Sequence, residues 1–139
     1  MTPLHLEIYI KNPYSYNMSK DIRLPHIHND EEKEKEVIRH LPGIEEISRV
    51  AGAMKQLGDP LRARIFWLLC HTEECVINIA ALMDMSSPAV AHHLKLLKEA
   101  DLIVSRREGK EMYYRAADSE MVDVLHHSLE AVMEITCPK

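Results

Sequence analysis

The chain has 139 residues, enough for one domain and too few for two comfortable ones. Hydrophobic residues make up 46%, but Phe and Trp occur once each and Gly four times, which argues against an all-β fold and for a core of Leu, Ile, Val, Met and Ala on helices. The formal net charge of -5 argues by itself against nucleic acid, yet the charge is unevenly distributed, and a local patch decides phosphate attraction.

Taken in chain order, residues 1–29 read as a partly ordered N-terminal arm. Leu4, Leu6, Ile8 and Ile10 alternate with polar residues as in a short strand, and Asn12-Pro13 and Leu24-Pro25 interrupt the rest of the arm. The remainder, 30–139, reads as one domain. Asp30 to Leu41 is charged and helical in composition and ends at Pro42-Gly43. Ile44, Ile47, Val50, Ala51 and Met54 recur at helical spacing and predict a second amphipathic helix, closed by Gly58. Asp59 is placed to cap a third helix, and Pro60 occupies its favoured first position. Leu61, Ile65, Leu68 and Leu69 are its expected buried stripe.

Cys75 to Leu82 predicts a short helix that packs through Ile77, Ala80 and Ala81, with Asp84-Met85-Ser86 as the turn after it. Ser86 or Ser87 caps the next helix and Pro88 fits its first turn. Val90, Leu94 and Leu97 form its inner side. His92 and Lys95 fall elsewhere, and His93, beside Leu94, reads as a packed histidine. Leu102 to Arg107 and Met112 to Arg115 are strand-like across Glu108-Gly109-Lys110. Asp118 or Ser119 caps a final helix with the stripe Met121, Val124, Leu125, Leu129, Val132 and Met133.

Helix, turn, serine-capped and proline-led helix, then basic hairpin is the order of a winged helix-turn-helix, here in a mainly α fold. Between Ser86 and Arg115, Lys95, Lys98, Arg106, Arg107, Lys110 and Arg115 outnumber Glu99, Asp101, Glu108 and Glu111. A recognition helix places its N-terminal residues in the major groove. Ser86, Ser87, Ala89, Ala91 and His92 are those residues here, with Lys95 reaching the backbone further along. Arg106, Arg107 and Lys110 lie on the wing, suited to phosphates or the minor groove. The plainer alternatives are helix capping for the serines and a solvated face for the hairpin charges. The broad stripes of the Ile44–Met54 and C-terminal helices suggest that two copies pair into a homodimer through their N-terminal and C-terminal helices, which suits a palindromic double-stranded DNA operator.

Cys70, Cys75 and Cys137 cannot make a closed disulfide framework, and the N-terminus shows no unbroken apolar segment, so a cytoplasmic protein is expected. No run approaches the roughly 18 apolar residues of a membrane span, so no membrane partner is expected. The chain shows no glycine-rich phosphate loop, nucleophile elbow or carboxylate-supported zinc triad, so catalysis is not expected. A winged helix serving only as a protein-interaction module is the non-DNA alternative.

The segments LGDPLRARIFWLL and EECVINIAALMDMSSPAVAHHLKLLKEADLIVSRREGKEMYYRAAD, with the closing helix, resemble the ArsR/SmtB family of winged-helix repressors over roughly residues 44–136. The resemblance implies a homodimer that represses transcription from an operator and releases it when an inducer binds. Ala91 stands where the family often has serine. Metal-sensing members use a Cys-x-Cys pattern before the recognition helix together with arm ligands. This chain offers Cys75, with Ile77 in the second place, and His26 and His28 in the arm. Thiolate and imidazole donors of this kind suit zinc or another transition metal ion. A second family site, on the C-terminal helix, maps onto Asp118, Glu120, Ala131 and Glu134, so both histidine positions are lost. His127 and Glu130 repeat part of its spacing one turn earlier. His126 and His127 are expected at the surface near the interface. Relatives that sense oxidants or reactive sulfur use a cysteine pair, which Cys70 and Cys137 roughly match. Alternatively, Cys70, Cys75 and Cys137 form a trithiolate pocket for a soft ion. Two inducers therefore stand open, a metal ion and thiol redox or reactive-sulfur chemistry.

Overall fold

A computed structural model describes residues 24–26, 28 and 30–134 of the chain. Its elements are α1 (Glu31–Arg39), α2 (Ile44–Leu57), α3 (Pro60–His71), β1 (Glu74–Cys75), α4 (Val76–Met83), α5 (Ser87–Glu99), β2 (Ile103–Glu108), β3 (Glu111–Ala116) and α6 (Glu120–Met133). They fall into two compact units, residues 1–49 and 50–139. In the first unit, Asp30 caps α1 by accepting a hydrogen bond from the Glu32 amide, and α1 buries no residue.

The second unit is built from locally encoded starts and stops. Asp59 Oδ1 accepts from the amides of Leu61 and Arg62 at 3.0 Å each, and Pro60, which lacks an amide proton, sits beside it in the first turn. Ser86 Oγ accepts from the Ala89 amide at 3.3 Å, and Ser119 Oγ from the Val122 amide at 3.2 Å, so α5 and α6 begin with the same device. The turn between α4 and α5 is made by Asp84 in the left-handed region (φ 53°). β2 and β3 are antiparallel, with Ser105 opposite Tyr114 and Glu108 opposite Glu111. Gly109 at the hairpin tip has φ 61°, a conformation that glycine adopts without steric cost.

Ile65, Phe66 and Leu69 of α3, Ile79 of α4, Val90, Leu94 and Leu97 of α5, Leu102 and Ile103 at the start of the hairpin, and Val122 of α6 are buried together. The winged helix-turn-helix is thus a mainly helical body carrying a small β wing. Four details differ from the sequence expectation. Phe66 joins the α3 stripe at 0% exposure, so the helix buries two adjacent positions. In α4 the inner face is Ile79, Ala80 and Met83, whereas Ile77 is 63% exposed and Ala81 is exposed as well. This reverses the expected packing of Ile77: the nearly all-apolar helix turns its Ile79–Met83 side to the core. Glu74 and Cys75 form a third strand, paired antiparallel with Tyr114 and Tyr113, so the wing is the outer part of a sheet in the order β1-β3-β2. The expected α6 stripe divides: Met121, Leu125 and Leu129 pack against the core, whereas Val124, Val132 and Met133 are exposed at 57%, 85% and 49%.

Candidate functional site

The α5 N-terminus presents an open surface. Ser86, Ser87, Ala91, His92 and Lys95 are exposed and Ala89 is half-buried, while Val90, Leu94 and Leu97 anchor the opposite side of the helix. The Ser86 hydroxyl is engaged as a cap by accepting from Ala89, and its proton stays available to an outside acceptor. His93 faces inward. Its ring Nδ1 lies 3.3 Å from Arg62 Nη1, and the Arg62 Nε donates to the Gln56 carbonyl at 3.0 Å. Desolvation lowers the pKa of His93, Arg62 and His92 add to the effect, and Asp59 opposes it.

The wing cations differ among themselves. Arg106 donates to Glu73 Oε1 from Nε at 2.8 Å and from Nη2 at 2.5 Å, and to Glu108 Oε2 from Nη1 at 2.5 Å. Its guanidinium also lies 4.8 Å from the centre of the Tyr113 ring. The Glu73 and Glu108 hydrogen bonds raise the Arg106 pKa, and the Arg106 hydrogen bond lowers that of Glu73. Arg107 Nε donates to the Gly109 carbonyl at 3.3 Å. Lys110 is exposed at the tip. Lys98 donates to Ser105 Oγ at 2.7 Å and braces the hairpin against α5.

The residues expected to sense an inducer belong to both units. His26 and His28 belong to the first unit and their rings stack with centroids 5.5 Å apart. Cys75 belongs to the second, where it is buried at the junction of β1 and α4. Cys70 is half-buried near the end of α3, and Cys137 lies outside the described residues. Asp118, Glu120 and Glu134 are exposed, and Ala131 supplies no donor.

A different set of donors converges. His71, the last residue of α3, and His126 and Glu130, one turn apart on α6, bring their polar atoms together. The two Nε2 atoms are 3.0 Å apart, Glu130 Oε1 is 3.4 Å from the His71 Nε2, and the same carboxylate oxygen contacts His126 Nε2 directly. All the donor atoms lie within 4.8 Å of one another, so the set could chelate a metal ion. Side-chain exposure is 17% for His71, 14% for His126 and 8% for Glu130. The expectation that His126 lies at the surface is therefore corrected: α6 turns it inward, one turn from Glu130 and onto the end of α3. The signal for this cluster in the sequence is the four-residue step from His126 to Glu130. The His127–Glu130 step points to the neighbouring ring instead.

The description "Bacterial regulatory protein, arsR family" matches residues 59–105. The cadmium resistance transcriptional regulatory protein CadC homolog of Staphylococcus aureus is 32% identical over 108 residues, covering 75% of this chain and 85% of that protein. This chain belongs to the arsR family. A transcriptional repressor SmtB homolog of a Synechocystis strain is 29% identical over 103 residues, covering 74% of this chain and 78% of that protein. Among solved structures, the homodimeric winged helix-turn-helix DNA-binding domain Mb0332 of Mycobacterium bovis has a TM-score of 0.57 at 28% identity, over 78% of this chain and 91% of that one. As an arsR-family protein the chain is a DNA-binding transcriptional regulator and not an enzyme. No helix among the described residues is long and apolar enough to cross a membrane.

Proposed function

We propose that this arsR-family protein is a homodimeric repressor that binds a double-stranded DNA operator and is released from it by a metal ion. The observation that carries the reading is one rigid core presenting both an exposed, capped helix start and an exposed basic hairpin. In this reading Ser86, Ser87, Ala89, Ala91 and His92 approach base edges and phosphates in the major groove and Lys95 reaches the backbone. Arg106, Arg107 and Lys110 lie against phosphates or the minor groove. Pairing of two copies is supported by the exposed apolar residues Val124, Val132 and Met133 of α6 and Met54 of α2, and by the homodimeric relative from Mycobacterium bovis. A metal inducer is supported by the likeness to a cadmium-resistance regulator and by the presence of clustered donors. His26, His28 and Cys75 remain one candidate donor set, for zinc or a related ion, and Cys70, Cys75 and Cys137 another, for a soft one.

The test is to select an operator from random duplexes and measure affinity by fluorescence anisotropy with and without zinc, cobalt and cadmium. The reading expects a two-to-one protein-to-duplex complex, a strong decline of affinity with salt, and release by at least one of these ions. Absence of both heparin retention and salt-dependent duplex binding would leave the protein-interaction module. Release by mild oxidant through a Cys70–Cys137 disulfide, with no response to metal, would favour the thiol reading instead. Metal content after reducing purification, compared with Cys75→Ser and His26→Ala/His28→Ala variants, assigns or removes the arm set.

A further inference from the structure

We propose that His71, His126 and Glu130 form a divalent-metal site within each protomer, that its ion is of the zinc, cobalt or nickel class, and that loading it ties the end of α3 to α6. The proposal deepens the metal-released reading above, on which its regulatory meaning rests, but the site itself can be tested without DNA.

Burial is the first argument. Glu130 is the one buried charged or polar residue among the described residues, in a core otherwise made of Ile, Leu, Val, Phe, Met, Ala and Cys75. A carboxylate removed from water is costly unless it is paired. Two imidazoles approach it, and both use Nε2, the same nitrogen. Two Nε2 atoms 3.0 Å apart, sharing one carboxylate oxygen, either hold a proton between them or surround a cation.

Geometry is the second. Zinc takes nitrogen and oxygen donors at roughly 2.0–2.2 Å in a tetrahedron, whose donor–donor edge is then about 3.4 Å. The His71–His126 and His71–Glu130 separations of 3.0 and 3.4 Å are close to such an edge, whereas the His126–Glu130 pair is in direct contact and has to open for an ion to enter. The donors sit on two rigid elements, and His71 is further fixed by the Trp67 ring, 4.4 Å away between centroids. Ligands set by helix positions confine the reorganisation to side chains, chiefly the parting of His126 from Glu130.

Access and donor type are the third. Both histidines line a cleft of about 360 Å³ that Thr72 and Asp123 share, so water or an oxygen donor can complete a fourth position. Two imidazoles and a carboxylate contain no sulfur. Such a set favours zinc, cobalt or nickel over cadmium, lead or arsenite, which prefer thiolates. It also differs from the C-terminal-helix position implied by the family resemblance, because all three donors belong to one chain.

The experiment titrates the full chain, reduced and metal-free, with cobalt, tracked by the visible ligand-field bands, and with zinc by competition. The proposal expects one ion per protomer in a tetrahedral cobalt spectrum without thiolate charge-transfer bands. His126→Gln and Glu130→Gln should each lose affinity by about tenfold or more, with helical circular dichroism checked in both. Retained cobalt affinity in these folded variants would overturn the proposal. Should either variant fail to fold, zinc X-ray absorption of the unaltered protein decides: a shell of nitrogen and oxygen with two imidazoles supports the site, and sulfur in the shell removes it. Operator binding separates the two readings. Metal-driven release that persists in His126→Gln would take the regulatory role from this site and leave the metal-released repressor standing. Tight cobalt binding at the site, with no effect of zinc, cobalt or cadmium on operator affinity, would leave the site standing and overturn the metal-released reading.

Discussion

Arg62, in the first turn of α3, and His93, midway along α5, meet with Nη1 and Nδ1 3.3 Å apart. The contact fixes α5 to α3 beneath it. Desolvation holds the pKa of His93 below the ordinary 6.5, so in the window below 6.5 the unfolded chain binds more protons at this position than the folded one. Its contribution to stability is therefore complete above the ordinary value and is lost as the pH falls through the lowered one. Urea denaturation of the unaltered protein and of His93→Gln should differ in pH slope below 6.5, the variant being the flatter. Parallel slopes would show that this histidine is not desolvated.

The wing arginines should contribute unequally to DNA binding. Arg106 is held by Glu73 and Glu108 and stacked on Tyr113, whereas Arg107 has one backbone contact and Lys110 is exposed. Arg107→Ala and Lys110→Ala should each reduce the log–log salt slope of operator binding by about 0.9, the value for one phosphate contact. Arg106→Ala should reduce it less. Glu73→Gln, by loosening the clamp, should steepen it. A flatter slope in Glu73→Gln would mean that the clamp orients Arg106 toward DNA and does not withhold it.

The two serines before α5 should separate capping from recognition. Ser86 Oγ accepts from the Ala89 amide, so Ser86→Ala should lower stability by about 1 kcal/mol. Ser87 is exposed and is not the cap. Ser87→Ala should leave the denaturation midpoint nearly unchanged while weakening operator binding. Equal loss of stability in the two variants would reassign the cap.

Core substitutions should track the observed faces of α3 and α4. Phe66→Ala, at 0% exposure, should cost about 3–5 kcal/mol, and Ile79→Ala, also at 0%, about 2–5 kcal/mol. Ile77→Ala, at 63% exposure, should stay within about 0.5 kcal/mol of the unaltered protein. Denaturant titration ranks the three directly.

The parts of the fold legible in the sequence are those set by neighbours along the chain. Asp59-Pro60 and Ser86 with Pro88 announce helix starts because capping reaches only two or three residues. Val90, Leu94 and Leu97 repeat over enough turns to fix a face. The side of Ile77 is not legible, because α4 has only eight residues, nearly all apolar, and either side could be inner. β1 leaves no trace in the pattern because two residues carry no period, and its partners Tyr113 and Tyr114 lie far along the chain. The donor cluster is hidden for the same reason: 55 residues separate His71 from His126, and only packing brings them together.

The two-residue strand β1 has a mechanical consequence. It hydrogen-bonds to the wing strand β3, and Cys75 at its end is the residue from which α4 starts. Wing and helix-turn-helix are therefore tied together through the backbone, which limits the internal motions left to freeze when DNA is grasped. Swinging the wing would break the β1–β3 pairing. In the dimer proposed above, release would come from changing the distance or angle between the two copies, and α6, with one side on the core and the other exposed, is the element through which that change would pass.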